Sequence, residues 1–206
     1  AGVLVNGANN VTLNNLTINN CQRGIYLNGV LANITINGTN INGTGSNGIE
    51  KPGSSRLENI TITNTQITNI TGSGIGLYDQ VGSSHYSRNI LISNVNITEA
   101  SQYGIDITCY DTNSGNITIQ NSNVTNSNYH GLYLHNIRGT LILENNTLTH
   151  NGYGGGNNQY YGIYLSGANN PQITITQDNI IKENRNGIRF DNVQGKETNN
   201  LTFTGP

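Results

Sequence analysis

The sequence of 206 residues predicts an all-β solenoid of about eight coils, each containing three short parallel strands. Three observations support this fold. A glycine followed by an apolar-x-apolar triplet, as in Gly24-Ile25-Tyr26-Leu27, recurs about every 25 to 30 residues. Two further apolar-x-apolar strands follow each triplet. Asn or Gly recurs at the turn after the second strand, which is typical of a tight left-handed turn.

The predicted strands follow one another in a fixed order within each coil. The coils start at Gly2, Gly24, Gly48, Gly74, Gly104, Gly131, Gly162 and Gly187. The second strands are centred on Thr12, Thr35, Thr61, Leu91, Thr118, Ile142, Thr174 and, in Leu201-Thr202-Phe203, Thr202. The third strands lie around Ile18, Ile41, Ile67, Ile97, Val124, Leu148 and Ile180. Strands this short favour coil-on-coil pairing with a shared core, and the usual hand of parallel crossovers predicts a right-handed parallel β-helix.

One column of turn residues explains the high Asn content. It lies two residues after each second strand and contains Asn15, Gly38, Asn64, Asn94, Asn121, Asn145 and Gln177. Asn and Gly tolerate the left-handed conformation, and stacked Asn amides hydrogen-bond from coil to coil. We therefore expect this column to be structural.

Composition excludes several classes of function. Only 10% of the residues are charged and the net charge is −2, with no basic run, so a nucleic-acid surface is not expected. No apolar stretch approaches a membrane span. Cys21 and Cys109 should lie about 14 Å apart, too far for a disulfide, and we expect two buried thiols. The spacing of His, Asp and Glu predicts no metal site, and no cofactor is expected.

The outward positions of the first strand are chemically distinctive. Their first column reads Leu4, Tyr26, Glu50, Gly76, Asp106, Tyr133, Tyr164 and Arg189, and the next begins at Asn6 and ends at Asp191. Loops beside this strand carry most of the remaining Tyr and His. Aromatic rings stack on sugars, and carboxylates and imidazoles bond hydroxyls, so this face predicts a glycan-binding surface. The predicted glycan-binding residues are Tyr26, Glu50, Tyr78, Asp79, His85, Arg88, Tyr110, Asp111, His135, Tyr160, Tyr164 and Arg189.

The repeat resembles a known group of proteins. The pattern Asn-Ile-Thr-Ile, an Asn turn and Gly-Ile-x-Leu is similar to the repeats of pectin-lyase-like parallel β-helix proteins, over essentially the whole chain. The resemblance implies the fold, and it implies a carbohydrate-active enzyme, a glycan-binding protein or a surface adhesin. Since one solenoid carries many chemistries, it does not select among them.

A second, local resemblance suggests an active site. The segments Tyr103-Gly104-Ile105-Asp106 and His130-Gly131-Leu132 are similar to the Tyr-Gly-x-Asp and His-Gly-x elements of mannuronan C5-epimerases. The resemblance implies that Asp106 engages a uronate carboxyl group and that His130 acts as the base. It implies Tyr103 or Tyr133 as the acid and Arg138 or Arg88 as the charge neutraliser. Ile107-Thr108 stands where that family continues with Pro-His.

Two alternatives remain open at this stage. Outward carboxyl groups two coils apart have the spacing of an inverting glycosidase, with Asp79, Asp106 and Asp111 as candidates. Alternatively, the solenoid is purely structural. Residues 1–206 form one predicted domain, and we expect it either to continue into more chain or to stack end to end with identical copies.

The shared element of the favoured hypotheses is contact with polysaccharide. We expect an extracellular or cell-surface β-helix that binds polysaccharide along its Tyr-, His- and Asp-lined face, with catalysis left open. A lyase, epimerase or hydrolase is one form of this hypothesis, and a non-catalytic adhesin stalk is another. A structural solenoid that polymerises as a sheath or filament subunit is the alternative.

Overall fold

The computed structural model describes residues 1–81, 84–111, 114–154, 159–168, 172–193 and 202–203. Within these ranges every regular element is a β-strand, and the 23 strands form three parallel sheets. We call the three sheets A, B and C. The chain visits them in this order and then repeats it, so each coil stacks on the one before it. The predicted solenoid of about eight coils is confirmed. Leu201, in the last predicted strand, lies outside the described residues.

Sheets A and B each contain eight strands. Sheet A consists of β1 (Val3–Asn6), β4 (Ile25–Asn28), β7 (Ile49–Lys51), β10 (Ile75–Tyr78), β13 (Ile105–Thr108), β16 (Leu132–His135), β19 (Ile163–Ser166) and β22 (Ile188–Asp191). Sheet B consists of β2 (Asn9–Asn14), β5 (Val30–Asn37), β8 (Arg56–Thr63), β11 (Ser87–Ser93), β14 (Gly115–Gln120), β17 (Thr140–Glu144), β20 (Gln172–Ile175) and β23 (Thr202–Phe203).

Sheet C has seven strands among the described residues. It consists of β3 (Thr17–Cys21), β6 (Asn40–Thr44), β9 (Gln66–Ile70), β12 (Asn96–Ala100), β15 (Asn123–Thr125), β18 (Thr147–Thr149) and β21 (Ile180–Lys182). The last coil is therefore represented by β22 and β23 alone.

Alternate side chains of all three sheets form one apolar core. Ile25, Leu27, Ile34, Ile36 and Ile41, which one coil contributes, are fully buried as predicted. Burial of each such side chain stabilises the fold by about 1.5–3 kcal/mol relative to leaving it exposed. The stacked coils thus share an apolar interior that runs along the solenoid.

The glycine that starts each coil is required by close packing. A Cβ added to Gly48 would lie 2.6 Å from the carbonyl oxygen of Gly74 and 2.7 Å from Cγ2 of Ile67. Real Cβ atoms do not approach other atoms this closely, so a side chain at Gly48 would push sheet C away from sheet A. The glycine therefore marks the corner where sheet C meets sheet A.

The predicted turn column is confirmed, and three further columns of the same kind accompany it. Fifteen of the 18 non-glycine residues with left-handed φ in the described chain are Asn. One additional column lies inside sheet B, where each amide bonds the next coil: Asn33 donates to Asn10 at 2.8 Å and Asn59 to Asn33 at 2.9 Å. The Asn excess is thus explained by left-handed backbone and amide ladders.

The coil before the last, formed by β19, β20 and β21, departs from the predicted register. Ile181 stacks on Leu148, so the prediction of Ile180 as the inward residue is wrong, and Ile180 is 49% exposed. Four residues separate Ile175 from Ile180, where three separate Leu143 from Thr147 in the preceding coil. Because this turn is longer, Gln177 does not adopt the left-handed conformation predicted for it.

A lysine occupies one inward position of sheet A. Lys51 pairs in register with Leu77, and its side chain is fully buried. Its Nζ donates to Oδ1 of Asp79 at 2.7 Å and to the carbonyl oxygen of Tyr78 at 2.6 Å. The hydroxyls of Ser87 and Ser114 donate to the same carboxylate. Burial lowers the pKa of Lys51, and the adjacent Asp79 opposes this effect.

Both cysteine thiols are free. Cys109 is fully buried, as predicted, at the corner that follows β13. The prediction of burial is wrong for Cys21, which is half-buried and donates its thiol to the carbonyl oxygen of Arg23 at 2.9 Å.

The buried ion pair generates a stability prediction. The substitution Asp79→Ala leaves the Lys51 ammonium without its anion, so we expect a loss of about 3–5 kcal/mol in the free energy of unfolding. The double substitution Lys51→Met with Asp79→Asn removes both charges and keeps the serine contacts, and it should restore most of that loss. Urea unfolding followed by circular dichroism measures both effects.

The exposed pair of Arg189 and Asp191 offers a matched control for this experiment. Asp191→Ala should change the free energy of unfolding by at most about 1 kcal/mol. Equal losses for Asp79→Ala and Asp191→Ala would contradict a special role for burial.

Candidate functional site

Three columns of outward side chains cover sheet A. The central column has the predicted register along its whole length, since Glu50 pairs with Gly76, Gly76 with Asp106, and Asp106 with Tyr133. A second column passes through Tyr78, Thr108, His135 and Ser166. The third consists of the residues that precede the coil-start glycines, whose carbonyl groups bond the glycine of the preceding coil. Its members are Arg23, Asn47, Ser73, Tyr103, His130, Tyr161 and Asn186.

Nine aromatic rings contact one another at one end of this face. Ring centroids lie 5.1 Å apart for Tyr103 and Tyr133, 4.8 Å for His130 and Tyr164, and 4.6 Å for Tyr129 and Tyr160. We call this set the aromatic cluster. Its members are Tyr103, Tyr110, Tyr129, His130, Tyr133, His135, Tyr160, Tyr161 and Tyr164.

The cluster follows from stacking of the coils. Each coil places a residue of the same column about 4.8 Å above the last, which is close to the distance at which aromatic rings pack. The seven tyrosines of the cluster are half-buried, so each keeps part of its surface accessible. Burial raises the pKa of Tyr103 to about 12 and raises those of Tyr133 and Tyr164. These phenols are therefore neutral hydrogen-bonding groups at physiological pH.

His130 lies buried at the centre of the cluster, with 5% of its surface exposed. Its Nδ1 accepts the backbone N–H of Tyr161 at 2.9 Å, which places the proton of the neutral ring on Nε2. Burial lowers the pKa of His130 to about 4. The only lone pair of the neutral ring is already occupied, so this geometry contradicts the expectation that His130 acts as a base.

Asp106 lies where the aromatic cluster ends. The carboxyl group is buried, with 6% of the residue exposed, between Gly76 of one coil and Tyr133 of the next. Burial raises the pKa of Asp106 to about 7, and hydrogen bonds from Tyr78 and Thr108 partly oppose this effect. A carboxyl group with this pKa is able both to donate and to accept a proton near neutral pH.

Glu50 lies two coils before Asp106 in the central column. The Nε of Arg23 donates to its Oε2 at 2.8 Å, and the same guanidinium lies 4.8 Å from the ring centroid of Tyr26. Two coils correspond to about 10 Å between the Cα atoms of Glu50 and Asp106.

The Tyr78 ring fills part of the space between these two acids. A Cβ added at Gly76 would lie 2.5 Å from the Tyr78 hydroxyl oxygen and 2.9 Å from Nδ2 of Asn47. Because Gly76 has no side chain, the Tyr78 ring can lie over the backbone of sheet A at this position.

Arg189 and Asp191 lie on β22, beyond the aromatic cluster and at the opposite end of the face from Arg23 and Glu50. The Arg189 guanidinium lies 5.6 Å from the Tyr161 ring centroid and 5.5 Å from that of Tyr164. It donates to the Tyr161 hydroxyl at 3.2 Å and to Oδ2 of Asp191 at 3.1 Å. The Tyr164 hydroxyl donates to the same carboxylate oxygen at 3.1 Å.

Three predicted site residues lie elsewhere. Asp79 is inside the solenoid with Lys51, so its placement on the face is wrong. Arg88 lies in sheet B, where its guanidinium pairs with Glu58 at 2.5 Å and packs over Tyr86. Arg88 is therefore not placed to neutralise a substrate charge at Asp106. Arg138 follows β16 at the corner between sheets A and B, and its predicted role stays a prediction.

The remaining predicted residues border the face. Tyr110 packs edge-on against His135 at 5.6 Å at the corner after β13, and Asp111 follows it. His85 is half-buried in the segment between β10 and β11. Tyr160 belongs to the aromatic cluster through His130 and Tyr129.

The sequence analysis left three contact residues out of the predicted site. Arg23 and Tyr161 belong to the third column, and Tyr129 directly precedes His130 of that column. All three make contacts as close as those of the predicted residues. The available signal was their constant position one or two residues before each coil-start glycine. Tyr103 and His130 share that position and were identified only through the local resemblance.

The described residues contain no group of three or more His, Cys, Asp or Glu side chains suited to holding a metal ion. They also form no helix with the length and hydropathy needed to cross a membrane.

Comparison with known proteins identifies the architecture alone. The family model described as "Right handed beta helix region" matches residues 1–155 and 82–206. Neither the curated proteins nor the solved structures contain a significant match to the chain.

The shifted pKa values of Asp106 and His130 make the free energy of unfolding depend on pH in opposite directions. Asp106 has a folded pKa of about 7 and an unfolded value of about 4, so the folded state binds more protons in this interval and stability falls as pH rises. His130 has a folded pKa of about 4 and an unfolded value of about 6.5, so stability falls as pH drops through that interval. Across their shared interval the two effects oppose each other.

The substitution Asp106→Asn removes one of these effects. Relative to the wild type, the variant should gain about 2–3 kcal/mol in the free energy of unfolding as pH is raised from about 5 to about 8. Urea unfolding at both pH values measures this difference. Asp178→Asn, in an exposed turn, is the matched control and should show no such change. A pH-independent difference for Asp106→Asn would contradict the raised pKa.

Proposed function

Since the chain belongs to the right-handed β-helix family, we propose that it is an extracellular or cell-surface protein that binds polysaccharide along sheet A. The aromatic cluster is the observation that carries this proposal. Sugar rings present apolar C–H faces and hydroxyl edges, and tyrosine matches both with an apolar ring and a hydroxyl group. Half-buried tyrosines repeated over successive coils suit a ligand that is itself a repeating chain.

The scaffold supports the proposal through its rigidity. Tyr133 and Tyr164 lie on neighbouring strands that pair in register, and their rings are 5.6 Å apart. Their positions are held by a hydrogen-bonded sheet over an apolar core, so little conformational entropy is lost when a ligand binds.

We expect Tyr133→Ala combined with Tyr164→Ala to weaken polysaccharide binding by about tenfold or more, because two ring contacts are lost. Affinity electrophoresis against a panel of plant, algal and bacterial polysaccharides, followed by calorimetry on the best ligand, measures the effect. Tyr153→Ala is the matched control, since Tyr153 is 60% exposed and lies beside His150 outside the aromatic cluster.

The thermal stability of both variants must stay close to that of the wild type for this comparison to hold. Equal affinities for the double variant and the Tyr153→Ala control would overturn the assignment of the binding face. Failure of the wild type to bind any polysaccharide would overturn the proposed function.

Proton transfer by Asp106 is a second candidate function. Its specific support is a buried carboxyl group with a pKa near 7 that borders the aromatic cluster. In a hydrolase, Asp106 would donate a proton to the glycosidic oxygen while Glu50 served as the second carboxylate, in the manner of the inverting mechanism. The Tyr78 ring lies between the two acids, so a substrate would have to displace it.

Activity is tested by incubating bound polysaccharides with the protein. New reducing ends would reveal a hydrolase, ultraviolet absorbance of an unsaturated product a lyase, and solvent proton exchange at C5 an epimerase. Asp106→Asn should abolish any such activity, while Asp178→Asn should retain it. Activity that persists in Asp106→Asn would exclude Asp106 as the proton donor, and a protein that binds without turnover would be a binding module.

A further inference from the structure

We infer that the polysaccharide recognised by sheet A is uncharged and that polyuronates are disfavoured. This inference rests on the proposed function and names the substrate class for the same face. Its basis is the state of the positive charges, since a uronate chain carries a carboxylate on every residue and requires cations to pair with them. Among the described residues, the two arginines of the three columns are paired with carboxylates, and the other cations lie outside these columns.

The arginine at one end of the face is paired with a carboxylate. The Arg23 Nε donates to Glu50 at 2.8 Å, and its guanidinium lies over the Tyr26 ring. A uronate that took the place of Glu50 on this guanidinium would leave the Glu50 carboxylate beside its own. That exchange replaces one ion pair with another and adds repulsion between two carboxylates.

The arginine at the other end is engaged in the same way. The Arg189 Nη2 pairs with Asp191 at 3.1 Å, Nη1 donates to the Tyr161 hydroxyl, and the guanidinium lies near two tyrosine rings. Asp191 also accepts the hydroxyl of Tyr164. A uronate that competed for Arg189 would therefore break a network of four groups.

The other described cations lie outside the three columns of this face. Lys51 is inside the solenoid, and Arg56 and Arg88 share Glu58 on sheet B. Arg138 follows β16 at a corner, Lys182 ends β21 in sheet C, and Arg185 precedes the last coil and has an interaction of its own. Lys196 lies outside the described residues.

The sum of charges on the three columns is negative. Two arginines, Arg23 and Arg189, face three carboxyl groups, Glu50, Asp106 and Asp191, which gives a net charge of −1 when Asp106 is ionised. A polyanion laid along this face would meet the Asp106 carboxylate at its centre whenever that group is ionised. Neutral sugars meet no such penalty.

The polar groups of the face are suited to hydroxyls. Tyr103, Tyr133 and Tyr164 present phenols that stay neutral, and Asn47 places an amide 3.5 Å from the Tyr78 hydroxyl. Such groups both donate and accept, as sugar hydroxyls do. The face thus offers hydrogen bonds to hydroxyl groups and stacking on sugar rings. A uronan-binding protein needs exposed guanidinium or ammonium groups instead.

The decisive experiment compares each uronan with its carboxyl-reduced product, which keeps the same linkages and length but carries no charge. Polygalacturonate and alginate are tested in both forms with the intact chain by affinity electrophoresis and calorimetry, beside a panel of neutral glucans, xylans and mannans. We expect a neutral form to bind at least about tenfold more tightly than its charged parent, with the gap widening at low ionic strength.

Tighter binding of a uronan than of its reduced form would overturn the inference and leave the proposed function standing. Failure of every polysaccharide, charged or neutral, would overturn the proposed function and the inference with it. These two failures are therefore distinguishable in a single set of measurements.

A charge-reversal variant provides an independent test. Glu50→Gln with Asp191→Asn releases both arginines and changes the net charge of the face from −1 to +1. The ratio of uronan to neutral affinity should rise by about tenfold or more. Because the ratio is measured, a loss of binding shared by both ligands does not affect it. An unchanged ratio would contradict the inference.

Discussion

Parallel pairing of each coil with the next is the constraint on which the rest of the structure depends. Backbone hydrogen bonds fix the rise at about 4.8 Å and bring the same column position of neighbouring coils together. An inward residue therefore always meets an inward residue, and a turn meets a turn. The apolar core, the Asn ladders and the aromatic cluster are three consequences of this single repeat distance.

The same constraint explains how much of the molecule was predictable. Ile34, Ile36 and Ile41 identify the core because apolar alternation is a local pattern, and Asn15, Gly38 and Asn64 identify a turn because few other residues tolerate its backbone. The central column of sheet A followed at once from the register. What could not be predicted depends on side-chain direction and on changes in turn length, such as the extra residue that moves Ile181 into the core.

Asp79 and His130 show why the candidate site was harder to predict than the fold. Asp79 lies in sequence beside outward residues, but a lysine at an inward position of the preceding coil draws its carboxylate into the interior. His130 occupies an outward column, yet the backbone of the next coil donates to its ring nitrogen. In both cases the partner comes from a different coil, and its geometry is set by packing that the residue types alone do not specify.

The face of sheet A is chemically polarised along the solenoid axis. Glu50, Asp106 and Tyr78 occupy one half, and stacked rings around His130 occupy the other, with an arginine-carboxylate pair at each end. A chain molecule bound there would experience different environments at its two ends. Such a surface is able to select the direction in which an asymmetric polymer lies as well as its composition.

The buried pair of Lys51 and Asp79 has a further consequence for how a repetitive sequence finds one alignment. Coils of similar composition could pair out of step by a whole turn while keeping most apolar contacts. The position equivalent to Asp79 in the following coil is Cys109, as the matching backbone bonds of both residues show. A slipped chain would leave the lysine facing a thiol, so this one contact penalises the shifted alignment that the isoleucines alone would tolerate.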